Sequence, residues 1–111
     1  MRPAIITASY SGSTTNSQPV ILDKIRNPFN VGFGCVVSSG GTITFSVQHT
    51  FDDLTTVASP TWFNHSVVNG QSASVFNSYA FPIAAVRLQV TAGTNPGSVT
   101  ATFIQAGPEG R

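Results

Sequence analysis

β-Branched residues dominate the apolar content of this chain and limit the folds open to it. Valine and isoleucine together number 19 in 111 residues, whereas leucine occurs only three times. β-Branched side chains fit a pleated sheet, whereas a helical domain would rely on Leu, Glu and Lys. Serine and threonine add 26 residues, and only nine residues carry a formal charge. We therefore expect an all-β protein whose surface consists of hydroxyls and amides rather than ions.

Strand-like runs recur at short spacing, with turn residues between them. The runs cover residues 3–10, 19–25, 29–37, 42–51, 83–91 and 98–105, and one or two short strands are expected between residues 52 and 75. The clearest run is 42–51, where Ile43, Phe45 and Val47 alternate with polar residues. The spacing predicts a single-domain antiparallel β-sandwich of about seven or eight strands over residues 1–111, with residues 1–4 and 107–111 as flexible termini.

Glycines predict three local features of these strands. Gly40 and Gly41 lie between two runs and predict a hairpin that joins residues 29–37 to residues 42–51. Gly32 and Gly34 fall on one face of a strand, which predicts a bulge or the close approach of another backbone. Asn69-Gly70 predicts a turn.

The charge balance bears on possible partners. The net charge is +1, and the five basic residues, at positions 2, 24, 26, 87 and 111, are scattered along the chain. Nucleic-acid-binding proteins cluster Lys and Arg on one face, so we expect no nucleic-acid partner. A net charge near zero opposes self-association only weakly, which favours an assembled state over a monomer.

The cysteine content and the hydropathy pattern bear on the cellular compartment. Cys35 is the only cysteine, so no intrachain disulfide can form, and its position in phase with Val31 and Phe33 predicts a buried, unreactive thiol. No apolar run approaches the roughly 20 residues that span a bilayer, and no signal peptide is evident. We expect synthesis in a cytoplasm and no membrane partner.

His49, Asp52 and Asp53 form the only dense group of candidate metal ligands or acid–base residues. Three ligands at this spacing are fewer than a zinc or calcium site requires. A histidine at the rim of the core, followed by a turn in which the Asp side chains bond the backbone, explains the group better. The chain also has no nucleophile elbow, phosphate-binding glycine loop or Cys-x-x-Cys motif. We therefore expect no metal, no cofactor and no enzymatic activity.

The segment Trp62-Phe63-Asn64-His65 concentrates aromatic side chains in a loop-rich region. These rings carry a large apolar area, which favours a role in closing one end of the core. The alternative is an anchor for a partner or a platform on which a sugar stacks, since Trp is enriched at binding hot spots.

Four stretches resemble a family of small virion proteins from tailed phages. They read NPFNVGFG at 27–34, FSVQHTFDD at 45–53, WFNH at 62–65 and YAFPIAAVRL at 79–88. Over roughly residues 20–106 the chain is similar to the capsid decoration, or cement, proteins of epsilon15-like phages. The resemblance implies a jelly-roll-like sandwich on the outer capsid surface of the virion that bridges neighbouring major capsid subunits. It transfers no catalytic residue.

The sequence thus predicts a non-enzymatic decoration protein that is made in the bacterial host cytoplasm and stabilises the expanded phage head. Its expected partners are the major capsid protein and further copies of itself, as a dimer or trimer on the capsid. Candidate contact residues are Arg2 and Pro3 at the N terminus and Trp62 and Phe63. The alternative is a carbohydrate-binding or tail-associated virion protein.

Overall fold

The chain folds into strands and connecting loops throughout the part that the structure describes. The computed structural model describes residues 3–10, 14–22, 30–38, 41–94 and 97–105. These residues form β1 (Ala4–Ser9), β2 (Thr15–Asn16), β3 (Val20–Ile21), β4 (Val31–Val37), β5 (Ile43–Thr50), β6 (Trp62–Asn64), β7 (Val75–Tyr79), β8 (Ala85–Gly93) and β9 (Ser98–Gln105). Within these ranges there is no helix, and so none that could cross a membrane.

The strands form two antiparallel sheets. Sheet A has the order β1-β9-β4-β7, and sheet B has the order β2-β8-β5-β6, with β3 also paired to β8. β2 pairs with Val90 and Gln89 and β3 pairs with Val86 and Ala85, so the two behave as one interrupted strand along β8. Consecutive strands otherwise alternate between the sheets, except that β5 and β6 share sheet B. This order is that of a jelly roll, which confirms the predicted all-β sandwich.

The predicted strands match the observed ones best where apolar and polar residues alternate. β5 and β9 lie within the predicted runs, β8 extends two residues beyond its predicted run of 83–91, and β6 is one of the one or two short strands expected between residues 52 and 75. β2 and β7 were not predicted. β2 has only two residues, and in β7 the inward side chains of Val75, Asn77 and Tyr79 include an amide that disguises the alternation.

The predicted hairpin between β4 and β5 is wrong. β4 pairs with β7 and β9, whereas β5 pairs with β6 and β8, so the two strands lie in different sheets. Each strand has one apolar face, and placing the strands in opposite sheets lets these faces pack against each other. Gly41 has φ 77°, so the chain enters β5 through a left-handed residue.

The predicted bulge or close approach at Gly32 and Gly34 is also wrong. Both glycines lie in continuous register with their neighbours, and no atom lies within 4 Å of a Cβ built on either one. The irregularity lies instead in sheet B, where the register between β5 and β8 shifts between Thr44 and Phe45. Gly32 and Gly34 therefore leave two positions on the outer surface of sheet A without a side chain.

The core fills the space between the two sheets. Phe33 and Phe103 of sheet A lie 5.5 Å apart between ring centroids, and Phe33 lies 5.6 Å from Tyr79. Phe45, Val47 and Leu88 supply the facing side chains from sheet B. Cys35 is buried among them, and burial raises the pKa of its thiol to about 11. A thiol with this pKa stays protonated near neutral pH, as expected for an unreactive cysteine.

Candidate interaction surfaces

None of the described side chains on the outer face of sheet A is ionisable. The side chains on this face alternate with the core side chains along all four strands. Their positions are Ile5, Thr7, Ser9, Gly32, Gly34, Val36, Phe76, Ser78, Ser98, Thr100, Thr102 and Ile104. Hydroxyl groups pair across the strands, as between Thr7 and Thr100 at 3.1 Å. These described positions therefore form an uncharged face of hydroxyl and apolar groups.

Four large apolar side chains on this face are exposed to solvent. Phe76 is 82% exposed, and Ile5, Val36 and Ile104 are each more than half exposed. Beside Phe76, a depression of about 270 Å³ is bordered by Gly34 and Val36. Exposed apolar patches on a small protein mark interaction sites. Phe76 could not be singled out from the sequence, because β7 was not predicted and the outward orientation of Phe76 was hidden.

Three exposed phenyl rings form a second apolar surface, which we call the aromatic patch: Phe51, Phe63 and Phe81. Phe51 lies 5.9 Å from Phe63 and 6.2 Å from Phe81 between ring centroids. Each ring also contacts His49, at 5.5–5.9 Å. The patch follows the ends of β5 and β7, where the aromatic side chains close the rim of the core and remain about half exposed.

His49 lies beneath the aromatic patch and is only 7% exposed. Its Nδ1 lies 3.0 Å from the Tyr79 hydroxyl, so the imidazole has one hydrogen-bonding partner within the rim. Burial lowers the pKa of His49, and the nearby His65 lowers it further. His49 is therefore neutral near neutral pH and occupies the rim position that the alternation of β5 predicts.

Asp52 and Asp53 organise the loop that follows β5. The Asp52 Oδ2 atom accepts a hydrogen bond from the Thr61 backbone N–H at 2.7 Å. The Asp53 Oδ1 atom accepts one from the Thr55 backbone at 3.0 Å and another from the Thr55 hydroxyl at 2.7 Å. The two carboxylates thus stabilise a turn, as their spacing predicts. Among the described residues, no group of three candidate ligands could hold a metal ion.

His65 links the edge strands of the two sheets. Its Nδ1 accepts hydrogen bonds from the backbone N–H groups of Val67 and Val68, both at 3.1 Å. Nδ1 therefore carries no proton, and Nε2 donates to the Ser78 carbonyl in β7 at 3.1 Å. Because Ser78 belongs to the edge strand of sheet A, His65 covers part of an edge that would otherwise be open.

A network of amide side chains crosses the outer face of sheet B. Arg87 Nε donates to Gln48 Oε1 at 2.8 Å, and Gln48 Nε2 donates to Asn64 Oδ1 at 2.8 Å and to Gln89 Oε1 at 3.3 Å. Gln89 Nε2 then donates to Asn16 Oδ1 at 3.2 Å. The row therefore connects β2, β8, β5 and β6.

The four contact residues predicted from the sequence have different environments. Arg2 lies outside the described residues, and Pro3 is exposed just before β1. Trp62 is half-buried on the outer face of sheet B, with the Arg87 Cζ atom 4.3 Å from its ring centroid. Phe63 belongs to the aromatic patch.

The prediction that Trp62 and Phe63 close one end of the core is therefore wrong for Trp62, whereas Phe63 covers the rim beside Phe51. β6 is an edge strand of sheet B, and its pairing with Thr50 and His49 places Trp62 outside and Phe63 at the rim. Both rings remain accessible to a partner.

Comparisons of the chain with protein-family models, with curated proteins and with solved structures give no match. The function must therefore be argued from the surfaces themselves.

Proposed function

We propose that this protein is a non-enzymatic capsid decoration protein that binds the outer surface of a phage head and bridges its major capsid subunits. The outer face of sheet A carries the proposal: all twelve outward positions lack an ionisable group, and four hold exposed apolar side chains. Such a face loses little free energy of hydration when it is covered, because no charge has to be desolvated. The resemblance of four sequence stretches to phage decoration proteins points the same way.

The size of this face explains how binding would depend on assembly. Four strands at about 4.8 Å spacing and about 3.3 Å rise per residue give a face of roughly 400 Å². A standard interface buries about 800 Å² on each partner. The face alone is therefore too small for tight binding to one subunit, and stable attachment requires several contacts at once.

We assign the second contact to the aromatic patch, which binds another copy of the same protein. Phe51, Phe63 and Phe81 offer a compact apolar surface over a neutral histidine, so two copies can meet without charge repulsion. Copies joined in this way as a dimer or trimer bind several capsid subunits together. Once one copy is bound to an assembled head, the linked copies are held at high effective concentration near neighbouring capsid subunits. The oligomer therefore binds the assembled head more tightly than it binds free subunits.

Head-binding assays test the contact through sheet A. Purified protein is added to expanded heads that lack it, and the bound fraction and the temperature of head disruption are measured. We expect binding that raises this temperature, because a ligand that binds only the assembled state stabilises it. F76K should abolish both effects, whereas A58K, which adds the same charge in the β5–β6 loop, should preserve them. Equal disruption temperatures with and without the protein would refute the proposal, as would equal binding to unassembled subunits.

Self-association through the aromatic patch requires its own measurement. F51K places a charge among three phenyl rings, so it should leave only single copies on the heads, whereas A58K should leave the oligomer intact. Counting the copies at each site by cryo-electron microscopy distinguishes these outcomes. A single isolated copy at each site with the unaltered protein would rule out this contact.

A carbohydrate-binding or tail-associated virion role is the second candidate function. Jelly rolls serve in both viral capsid and lectin domains, so the fold does not choose between these roles. The amide network on sheet B is the observation that favours carbohydrate binding.

A further inference from the structure

One residue, Arg87, fixes which atoms donate and which accept hydrogen bonds in the amide network on sheet B. Arg87 Nε can only donate, so the Gln48 atom that it contacts must be the carbonyl oxygen. Gln48 Nε2 must then donate to Asn64 and to Gln89, and Gln89 in turn donates to Asn16. Every amide carbonyl in the row is therefore occupied by a neighbour in the row.

The groups of the row that have no partner within it are consequently N–H donors. Asn16 and Asn64 are exposed at the two ends of the row, and each uses its carbonyl oxygen within the network. Their NH₂ groups and the two terminal nitrogens of Arg87 can therefore donate hydrogen bonds to acceptor atoms of a ligand. A surface of this kind selects ligands that are rich in oxygen acceptors.

Arg87 also brings a positive charge that the described residues do not neutralise. The described carboxylates, Asp52 and Asp53, accept hydrogen bonds from Thr61 and Thr55 in their own loop. Burial lowers the pKa of Arg87, with no opposing effect from a nearby carboxylate. The guanidinium lies over one face of the Trp62 ring, and Trp62 is only half-buried, so part of the ring is exposed next to the charge.

We propose that the outer face of sheet B binds an acidic sugar, with its carboxylate at Arg87, its ring beside Trp62 and its hydroxyl oxygens at Asn16 and Asn64. Arginine binds carboxylates through two parallel hydrogen bonds, which its terminal nitrogens can supply. The row crosses four strands over about 14 Å, so it can contact more than one sugar of a polysaccharide. An acidic peptide is less suited, because it would lie across the strands and could not pair with their edges.

The test uses a trisaccharide of galacturonic acid as the probe. Trp62 is the only tryptophan in the chain, so its fluorescence reports binding at this surface, and amide chemical shifts in β5, β6 and β8 locate the site. A neutral galactose trisaccharide and a triglutamate peptide serve as comparison ligands. We expect saturable binding of the acidic sugar that weakens with salt, and little binding of the other two ligands.

Variants with unchanged shape make the test specific. N64D replaces one outward donor with a negatively charged acceptor and should weaken binding at least about tenfold, because it removes a hydrogen bond to the sugar and adds repulsion of the acidic ligand. N30D makes the same change at an exposed position directly before β4 of sheet A and should leave the affinity unchanged. R87M should abolish binding, but it also leaves the buried Gln48 carbonyl unpaired, so N64D decides the matter if R87M unfolds.

Three results would overturn this assignment: no response of Trp62 or of these amides to the acidic trisaccharide at millimolar concentration, equal affinities of N64D and N30D, or equal binding of triglutamate. The proposal does not depend on capsid decoration, because it is tested on the isolated protein, and head binding through sheet A can succeed or fail independently.

Discussion

At the scale of single residues, two glycines of this fold differ in whether their surroundings leave space for a side chain. At Gly97, an added Cβ would overlap the Thr42 carbonyl group and approach the Thr94 carbonyl oxygen, both of which are backbone atoms that cannot move aside easily. At Gly32, an added Cβ would meet nothing within 4 Å. Gly97 is therefore required by close packing at the end of the sandwich, whereas Gly32 is not required by contacts within the chain.

Alanine substitutions at these two glycines should have opposite effects on stability. G97A should lower the free energy of unfolding by about 1–3 kcal/mol, the usual cost of overpacking. G32A should raise it by about 0.5–1 kcal/mol, because glycine within a strand loses more conformational entropy on folding than alanine does. Urea denaturation measures both changes. A similar loss in the two variants would show that Gly32 is constrained in a way that the fold does not explain.

His49 should make stability depend on pH. Since burial lowers its pKa below 6.5, the unfolded chain takes up a proton at pH values where the folded chain remains neutral. The free energy of unfolding should therefore be highest above pH 6.5 and decrease as the pH falls below that value toward the folded-state pKa. Urea denaturation at about pH 7.5 and about pH 5 measures the decrease.

H49Q provides the control for this pH dependence, because glutamine keeps a hydrogen-bonding partner for Tyr79 but does not titrate. The decrease in stability at low pH should be smaller in H49Q than in the unaltered protein. H49Q also removes the electrostatic effect that His65 exerts on His49, so the comparison measures the titration of His49 together with that effect. An identical decrease in both would assign the effect to another group.

At the scale of secondary-structure elements, the sequence predicted a strand where its inner face was uniformly apolar. β5 and β9 were found in this way, because Phe45 and Val47, or Ala101 and Phe103, alternate with hydroxyl residues. Pairing partners could not be predicted, because the same alternation fits a hairpin or two facing sheets. The Gly40-Gly41 connection therefore gave the correct strand boundaries but the wrong partner strand.

The contact that His65 makes between the two edge strands should contribute measurably to stability. H65A removes the acceptor for Val67 and Val68 and the donor to Ser78, and loss of such a buried group usually costs about 1–3 kcal/mol. S66A, at the exposed neighbouring position, should change stability by less than about 0.5 kcal/mol. Chemical denaturation compares the two variants, and equal stabilities would mean that solvent replaces the His65 contacts.

At the scale of the whole molecule, composition predicted the fold class more completely than it predicted the interaction surfaces. The abundance of β-branched residues and hydroxyls was sufficient for an all-β sandwich with few charges. The candidate surfaces depend on which residues share a face across four strands, and this requires the strand order. Phe63 was predicted as a contact residue from its own segment, whereas Phe76 and Phe81 join their surfaces only through pairing and packing.

Cryo-electron microscopy of the parent virion would locate this protein and show which of its faces meets the capsid. We expect density for it on the outside of the head, with the outer face of sheet A against the major capsid protein and the Phe76 side chain buried in that contact. Neighbouring copies should meet at Phe51, Phe63 and Phe81, and together they should contact more than one capsid subunit. Density in the tail, or on the head with the outer face of sheet A exposed to solvent, would contradict the account.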